Sequence, residues 1–128
     1  MIEFNDIPKS AMVVFAHPDD AEIGSGATAA KWSDAGCKIF YVLATTGSSG
    51  SNDLSMTSEK IVDIRSNEQS EAGKIIGVED IVSLNYTDGE LESNRELLSD
   101  LVFYIRKFKP EIVFTHDPFR MNSFLNYN

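Results

Sequence analysis

Four residues capable of chemistry stand within six positions of one another. They are His17, Asp19, Asp20 and Glu22, in the stretch AMVVFAHPDDAEIGSGA over residues 11–27. A neutral imidazole and a carboxylate three residues apart can both turn toward one metal ion. Catalytic zinc takes three such protein ligands and keeps a fourth position for water. His17 and Asp20 are the candidate ligands. Asp19, between them, is free to act as a general base on a metal-bound water. Metal binding lowers the pKa of water from 15.7 to about 7 and polarises a carbonyl, which suits hydrolysis of an amide or ester. A simpler alternative is that His17 and Asp20 cap a following helix while Asp19 faces solvent. The other histidine, His116, could complete a His17–Asp20–His116 set if its strand lies beside the first. It could equally be a substrate contact or a surface residue.

Such residues need a frame. Residues 11–16 (AMVVFA) form an apolar run expected of a buried strand in a parallel sheet. Pro18 biases His17 away from helical geometry and ends the strand. Gly24, Ser25 and Gly26 read as a tight turn before a helix over residues 27–35. Lys38–Ala44 is a second buried strand. Thr45–Ser58, polar and rich in Gly and Ser, reads as a long loop. Thr57 or Ser58 caps a helix running to Ile76, with Gly77 at its C-terminal end. Residues 81–84 form a third strand, and Asp88-Gly89 a turn. Ser93 and Glu96 open a helix as a capping box, and Leu97, Leu98, Leu101, Ile105 and Phe108 stripe its buried face. Pro110 stops it before a fourth strand over residues 112–115, which places His116 at the strand's carboxyl end. Arg120–Asn128 reads as a loop-like segment with no closing helix. The β-α-β-α-β-α-β order predicts an α/β fold, Rossmann-like, with three α/β/α layers and a mostly parallel sheet, incomplete at the C-terminus. In such sheets ligands bind beyond the carboxyl ends of the strands, where His17, Asp19, Asp20 and His116 all fall.

Composition narrows the possible partners. The 128 residues suit a single domain spanning 1–128, and 42% hydrophobic with 24% charged content suits a globular protein. A net charge of −9 argues against a nucleic-acid surface, which needs clustered Lys and Arg. No apolar run approaches the ~18 residues of a membrane span. One cysteine, Cys37, permits no intrachain disulfide, and the first ten residues carry no signal-peptide pattern. A cytoplasmic location is the expectation.

AHPDDAEIGSGAT resembles the first signature of the LmbE/PIG-L family of zinc-dependent N-deacetylases. The segments TTGSSGSNDLSMT, RSNEQSEAGKIIGVEDIVSLNYTDGELE and LVFYIRKFKPEIVFTHDP resemble the same family in the expected order. The resemblance implies that His17 and Asp20 are zinc ligands. It makes Asp19 the base that deprotonates the bound water and the acid that protonates the departing amine. It makes Arg65 a substrate-binding arginine and Asp88 a contact to sugar hydroxyls. More plainly, Arg65 could pair with Glu68 across one helical turn, and Asp88 could simply initiate its turn. The implied substrate is a small N-acetylated amino sugar or conjugate. The family also has a later His-x-x-His segment, which supplies its third zinc ligand and an oxyanion donor. This sequence stops where that segment is expected, so a truncated, inactive binding domain of the same fold is the alternative. A dinucleotide-binding reading rests only on Gly24-Ser25-Gly26. It fails the G-x-G-x-x-G spacing, since position 29 is Ala.

Overall fold

In the computed structural model, residues 6–49, 53 and 55–118 are described. The elements run β1 (Ser10–Phe15), α1 (Asp20–Asp34), β2 (Lys38–Thr45), α2 (Ser58–Ile76), β3 (Val78–Tyr86), α3 (Arg95–Phe108) and β4 (Ile112–Phe114). The sheet order is β3-β2-β1-β4, and every pairing is parallel. The chain thus winds outward from β1 through β2 to β3, then returns to place β4 on the other side of β1. β1 and β4 flank the point where the winding reverses, the crevice in which open α/β sheets bind ligands. The expected α/β/α architecture is what the chain adopts.

Alternation along the strands decides which helix covers which face. Ala11 and Val13 of β1 and Ile39, Tyr41 and Leu43 of β2 point to one side. There they form the main core with Ala21, Ala29 and Trp32 of α1. Ile81 joins this core from β3 and Phe114 from β4, whose ring lies 5.4 Å from that of Trp32. The opposite phase of β2 carries Phe40, whose ring stacks on Phe108 of α3 at 4.2 Å. Cys37 is buried at the entry to β2, and burial, with Glu111 nearby, pushes its thiol pKa up.

Three expectations need correction. Gly24, Ser25 and Gly26 are not a turn: α1 begins at Asp20 and runs through all three. Asp20 and Glu22 in the first turn suit the positive end of the helix dipole. Gly24 is there because a Cβ at that position would meet the Phe15 ring at 2.8 Å. Ser25 stays helical by donating its hydroxyl to the Ala21 carbonyl at 2.9 Å. Second, α3 is capped by Asn94, whose side chain accepts from the Leu97 N–H at 3.0 Å, rather than by Ser93. Third, the α3 stripe is not buried. Leu98 and Ile105 are exposed, and none of the helix's residues is fully covered.

Other boundaries agree more closely. Thr57 caps α2 through the Lys60 N–H, and Gly77 ends it in the left-handed conformation at φ 83°. β3 extends well beyond 81–84, because an edge strand tolerates outward polar residues such as Glu79 and Asp80. Of the Thr45–Ser58 loop, residues 50–52 and 54 lie outside the described residues, as does Arg120–Asn128. No described helix is long and apolar enough to cross a membrane.

Candidate active site

The end of β1 is fixed before any reactive group is placed. The Ala16 carbonyl accepts from both the Thr45 N–H (2.8 Å) and the Thr45 hydroxyl (2.9 Å). The Ala16 N–H donates to His116 Nε2 at 3.3 Å, and the His116 ring meets Phe15 edge-on at 4.5 Å. The chain then turns through His17, Pro18 and Asp19 into α1.

Asp19 is the sharpest part of this turn. It occupies the N-cap position at φ 82°, ψ −30°, with no hydrogen bond from its carboxylate to the helix. A non-glycine residue in this region costs on the order of 1–3 kcal/mol unless its surroundings hold it there. The holding comes from α2. Arg65 donates to the Pro18 carbonyl (2.8 Å), the Asp19 carboxylate (3.1 Å) and the Gly47 carbonyl (3.2 Å). Its charge therefore serves the turn rather than Glu68, the plainer partner expected of it. The Asp19 side chain is 63% exposed, so the carboxylate stands at the surface.

Asp20 does not cap α1 either. Its Oδ2 accepts the His17 backbone N–H at 3.0 Å and lies 3.1 Å from His17 Nδ1. The other ring nitrogen, Nε2, lies 2.7 Å from Asp88 Oδ1. Asp88 is well buried, and its second oxygen accepts from the Ser49 N–H at 3.3 Å. It also lies in the turn expected there, as the second of its four residues: Glu90 N–H donates to the Thr87 carbonyl at 3.2 Å, with Gly89 at φ 84°.

This arrangement bears directly on a cation. A neutral imidazole has one N–H and can donate to only one of two carboxylates. If Nε2–H serves Asp88, then Nδ1 and Asp20 Oδ2 confront each other as two acceptors, which only a proton or a metal ion reconciles. Two ligands sharing a tetrahedral zinc stand about 3.3 Å apart, close to the observed separation. Asp88 behind the far nitrogen repeats the carboxylate–histidine arrangement that orients metal-binding imidazoles. His17 and Asp20 therefore fit as two ligands.

The third donor does not fit. His116 Nε2 comes within 3.7 Å of Asp20 Oδ2, but its lone pair is taken by the Ala16 N–H. Among the described residues no three His, Cys, Asp or Glu side chains stand where one ion could be held by all of them. β4 does lie beside β1, but among the described residues His116 does not join His17 and Asp20 around one point.

One site residue escapes the sequence reading. Gln69, one turn beyond Arg65 on α2, is buried. It accepts the Asp19 N–H through Oε1 at 3.1 Å, while its amide Nε2 donates to Glu22. Nothing in a Gln 50 positions downstream marks it as a partner of Asp19.

Beside this edge lies a cavity of about 320 Å³ between α2 and the ends of β2 and β3, bordered by Pro18, Thr45, Ser66, Gln69 and Asn85.

Known proteins are similar to this chain over most of its length. Diacetylchitobiose deacetylase of Thermococcus kodakarensis is 37% identical over 115 residues, covering 90% of this chain and 43% of that protein. The structure of N,N'-diacetylchitobiose deacetylase from Pyrococcus horikoshii superposes with a TM-score of 0.88 at 38% identity. That match covers 91% of this chain and 43% of the other. A 4-carboxy-2-hydroxymuconate hydratase from Pseudomonas putida superposes at 0.78 with 28% identity, covering 88% and 50%. The chain thus spans about half or less of the length of these proteins. A family model described as PIG-L, GlcNAc-PI de-N-acetylase, matches residues 12–123, and the chain belongs to that family.

Proposed function

We propose that this chain carries the metal-binding and acid–base half of a hydrolase that removes an acetyl group from an N-acetylated amino sugar or its conjugate. The observation that carries the reading is the convergence of His17, Asp20, Asp88 and the Asp19–Arg65 pair at one sheet edge. The likeness to two diacetylchitobiose deacetylases supports the substrate class.

His17 and Asp20 would hold one divalent metal, zinc by the chemistry of an imidazole–carboxylate pair. When bound, it would supply a water of lowered pKa and polarise the acyl oxygen. Arg65 fixes Asp19 through Oδ2, leaving the other oxygen to take a proton from water and return it to the departing amine. Asp88 keeps His17 oriented with Nδ1 toward Asp20. Arg65 and Asp88 are thus committed to protein partners, and substrate binding would compete with those contacts or use their outer edges.

The reading carries a condition. Two protein ligands are one short of a catalytic zinc site, and an oxyanion donor is worth about 10²–10³ in rate. Among the described residues neither the third ligand nor the oxyanion donor is assigned.

The test is primary-amine release from N,N'-diacetylchitobiose by the purified chain with zinc. Release that needs zinc and falls about 10²–10⁴-fold in Asp19→Asn is the expected result. Two other readings are separated by the same experiment. A sugar-binding domain without turnover would bind the disaccharide after chelation and release no amine. The hydratase relative points to water addition across a carbon–carbon double bond. Consumption of an unsaturated acid with no amine release from acetylated sugars would favour it.

A further inference from the structure

Asp19 presents its carboxylate from a backbone at φ 82°, a region that residues with a side chain rarely occupy. Its carbonyl accepts the Ile23 N–H at 3.1 Å, but its side chain makes no capping bond to α1, and the peptide that precedes it is held from α2. Two side chains of α2, four residues and one turn apart, reach across to hold it. Arg65 takes the carbonyl before Asp19, and Gln69 takes its N–H.

The chemistry of Gln69 is set by what lies behind it. Glu22 is a carboxylate and accepts only, so the Gln69 Nε2 must face it and Oε1 must face the Asp19 N–H. The Asp19 N–H and Glu22 therefore demand the same sense of the amide, and Glu22 anchors its far end. Its other oxygen is buried without a hydrogen-bond partner among the described residues, as is the Tyr41 hydroxyl. With Glu22 beside it, burial pushes Tyr41 well above the ordinary tyrosine range, so the ring stays neutral there.

We propose that Gln69 is a positioning residue: its amide, anchored by Glu22, holds the Asp19 peptide and so aims the Asp19 carboxylate. The catalytic consequence rests on the acid–base role given to Asp19 above. The structural claim does not.

Polarity can be reversed without loss of bonds, which makes the relay testable. Gln69→Glu can still accept from Asp19 but confronts Glu22 with a second carboxylate. Adding Glu22→Gln restores a donor. The amide introduced at position 22 then donates to the carboxylate introduced at position 69, which still accepts the Asp19 N–H. Gln69→Leu removes both bonds.

The primary readout is hydrogen exchange of the Asp19 amide by NMR in the metal-free chain. It requires neither zinc nor turnover. Exchange at Asp19 is expected to accelerate about tenfold in Gln69→Leu and in Gln69→Glu, with β1 and β2 amides unchanged. It is expected to return to within about threefold of the parent in the double variant. Unchanged Asp19 exchange in the single variants overturns the proposal. So does failure of the double variant to recover while its β-strand amides stay protected. If Gln69→Leu does not fold, the Gln69→Glu pair decides alone. Where amine release is measurable, kcat should fall in Gln69→Glu and recover in the double variant at constant KM. A kcat that ignores a freed Asp19 amide refutes the aiming of the carboxylate. A parent without turnover, yet with the expected exchange pattern, would count against the hydrolase reading alone.

Discussion

The helices on the two faces of the sheet are covered to different degrees: α1 and α2 each bury several residues, and α3 buries none completely. Against α1 and α2, Val13, Ile39 and Tyr41 have no exposure at all. On the α3 side of the sheet Met12 and Val42 are equally buried and Phe40 stacks on Phe108, but no residue of α3 itself is fully covered, and its Leu98 and Phe103 are 60% and 58% exposed. The candidate site draws on the first face almost entirely. His17, Asp19 and Asp20 enter α1, Arg65 and Gln69 sit on α2, and Asp88 follows β3. Only His116 comes from beyond β4, and its ring nitrogen is spent on the Ala16 backbone. The candidate groups thus lie at the ends of strands and on helices that contribute residues to the core.

That contrast can be broken. The largest effect is expected at Ile39, where truncation to Ala should cost about 2–5 kcal/mol in urea unfolding, the range for a fully buried large-to-small change. A smaller loss would mean that the covered face is less tightly packed than its burial implies. Next, Asp88→Asn keeps the shape of the side chain but removes the charge behind His17. Zinc affinity, read by competition with a chromophoric chelator, should fall about 10–100-fold. His17→Ala should abolish the zinc binding that competes with the chelator, and an unaltered titration in both would dismiss His17 as a ligand. The smallest effect is expected across the sheet. Phe103→Ala should move stability by no more than about 0.5 kcal/mol, since the ring is largely in water. A loss of about 2 kcal/mol or more there, the scale of a buried truncation, would erase the distinction between the faces.

Much of the frame is legible in the residues, because hydrophobic runs and turn chemistry act locally. The strands at Ser10–Phe15 and Lys38–Thr45, the Thr57 cap and the Gly77 terminus all follow from neighbouring positions. Gly24-Ser25-Gly26 misleads for a specific reason. Glycine signals backbone freedom in a sequence, but here Gly24 serves the approach of Phe15, a tertiary fact invisible to spacing. The α3 stripe misleads in the opposite way: periodicity marks an apolar face without saying what covers it. In the site, the grouping of His17, Asp19 and Asp20 follows from their closeness in the chain. Arg65 and Asp88 are reached only through resemblance, and the structure brings both to that group. Their roles remain proposals, as does that of Asp19. Gln69 is out of reach of the sequence, because its value lies in two hydrogen bonds to residues 47 and 50 positions away.

The left-handed turn at Asp19 also constrains how the chain can acquire its site during folding. The reactive residues are made early, but the side chains that restrain them arrive 46 to 50 residues later, after a crossover helix, a strand and a long loop. Closing that loop carries an entropic cost that only the completed α1–α2 packing repays. A chain that ends before Gln69 would contain every residue of the His-Pro-Asp-Asp motif and lack the side chain that secures the Asp19 amide. The restraint on Asp19 is therefore complete only once α2 is docked against α1.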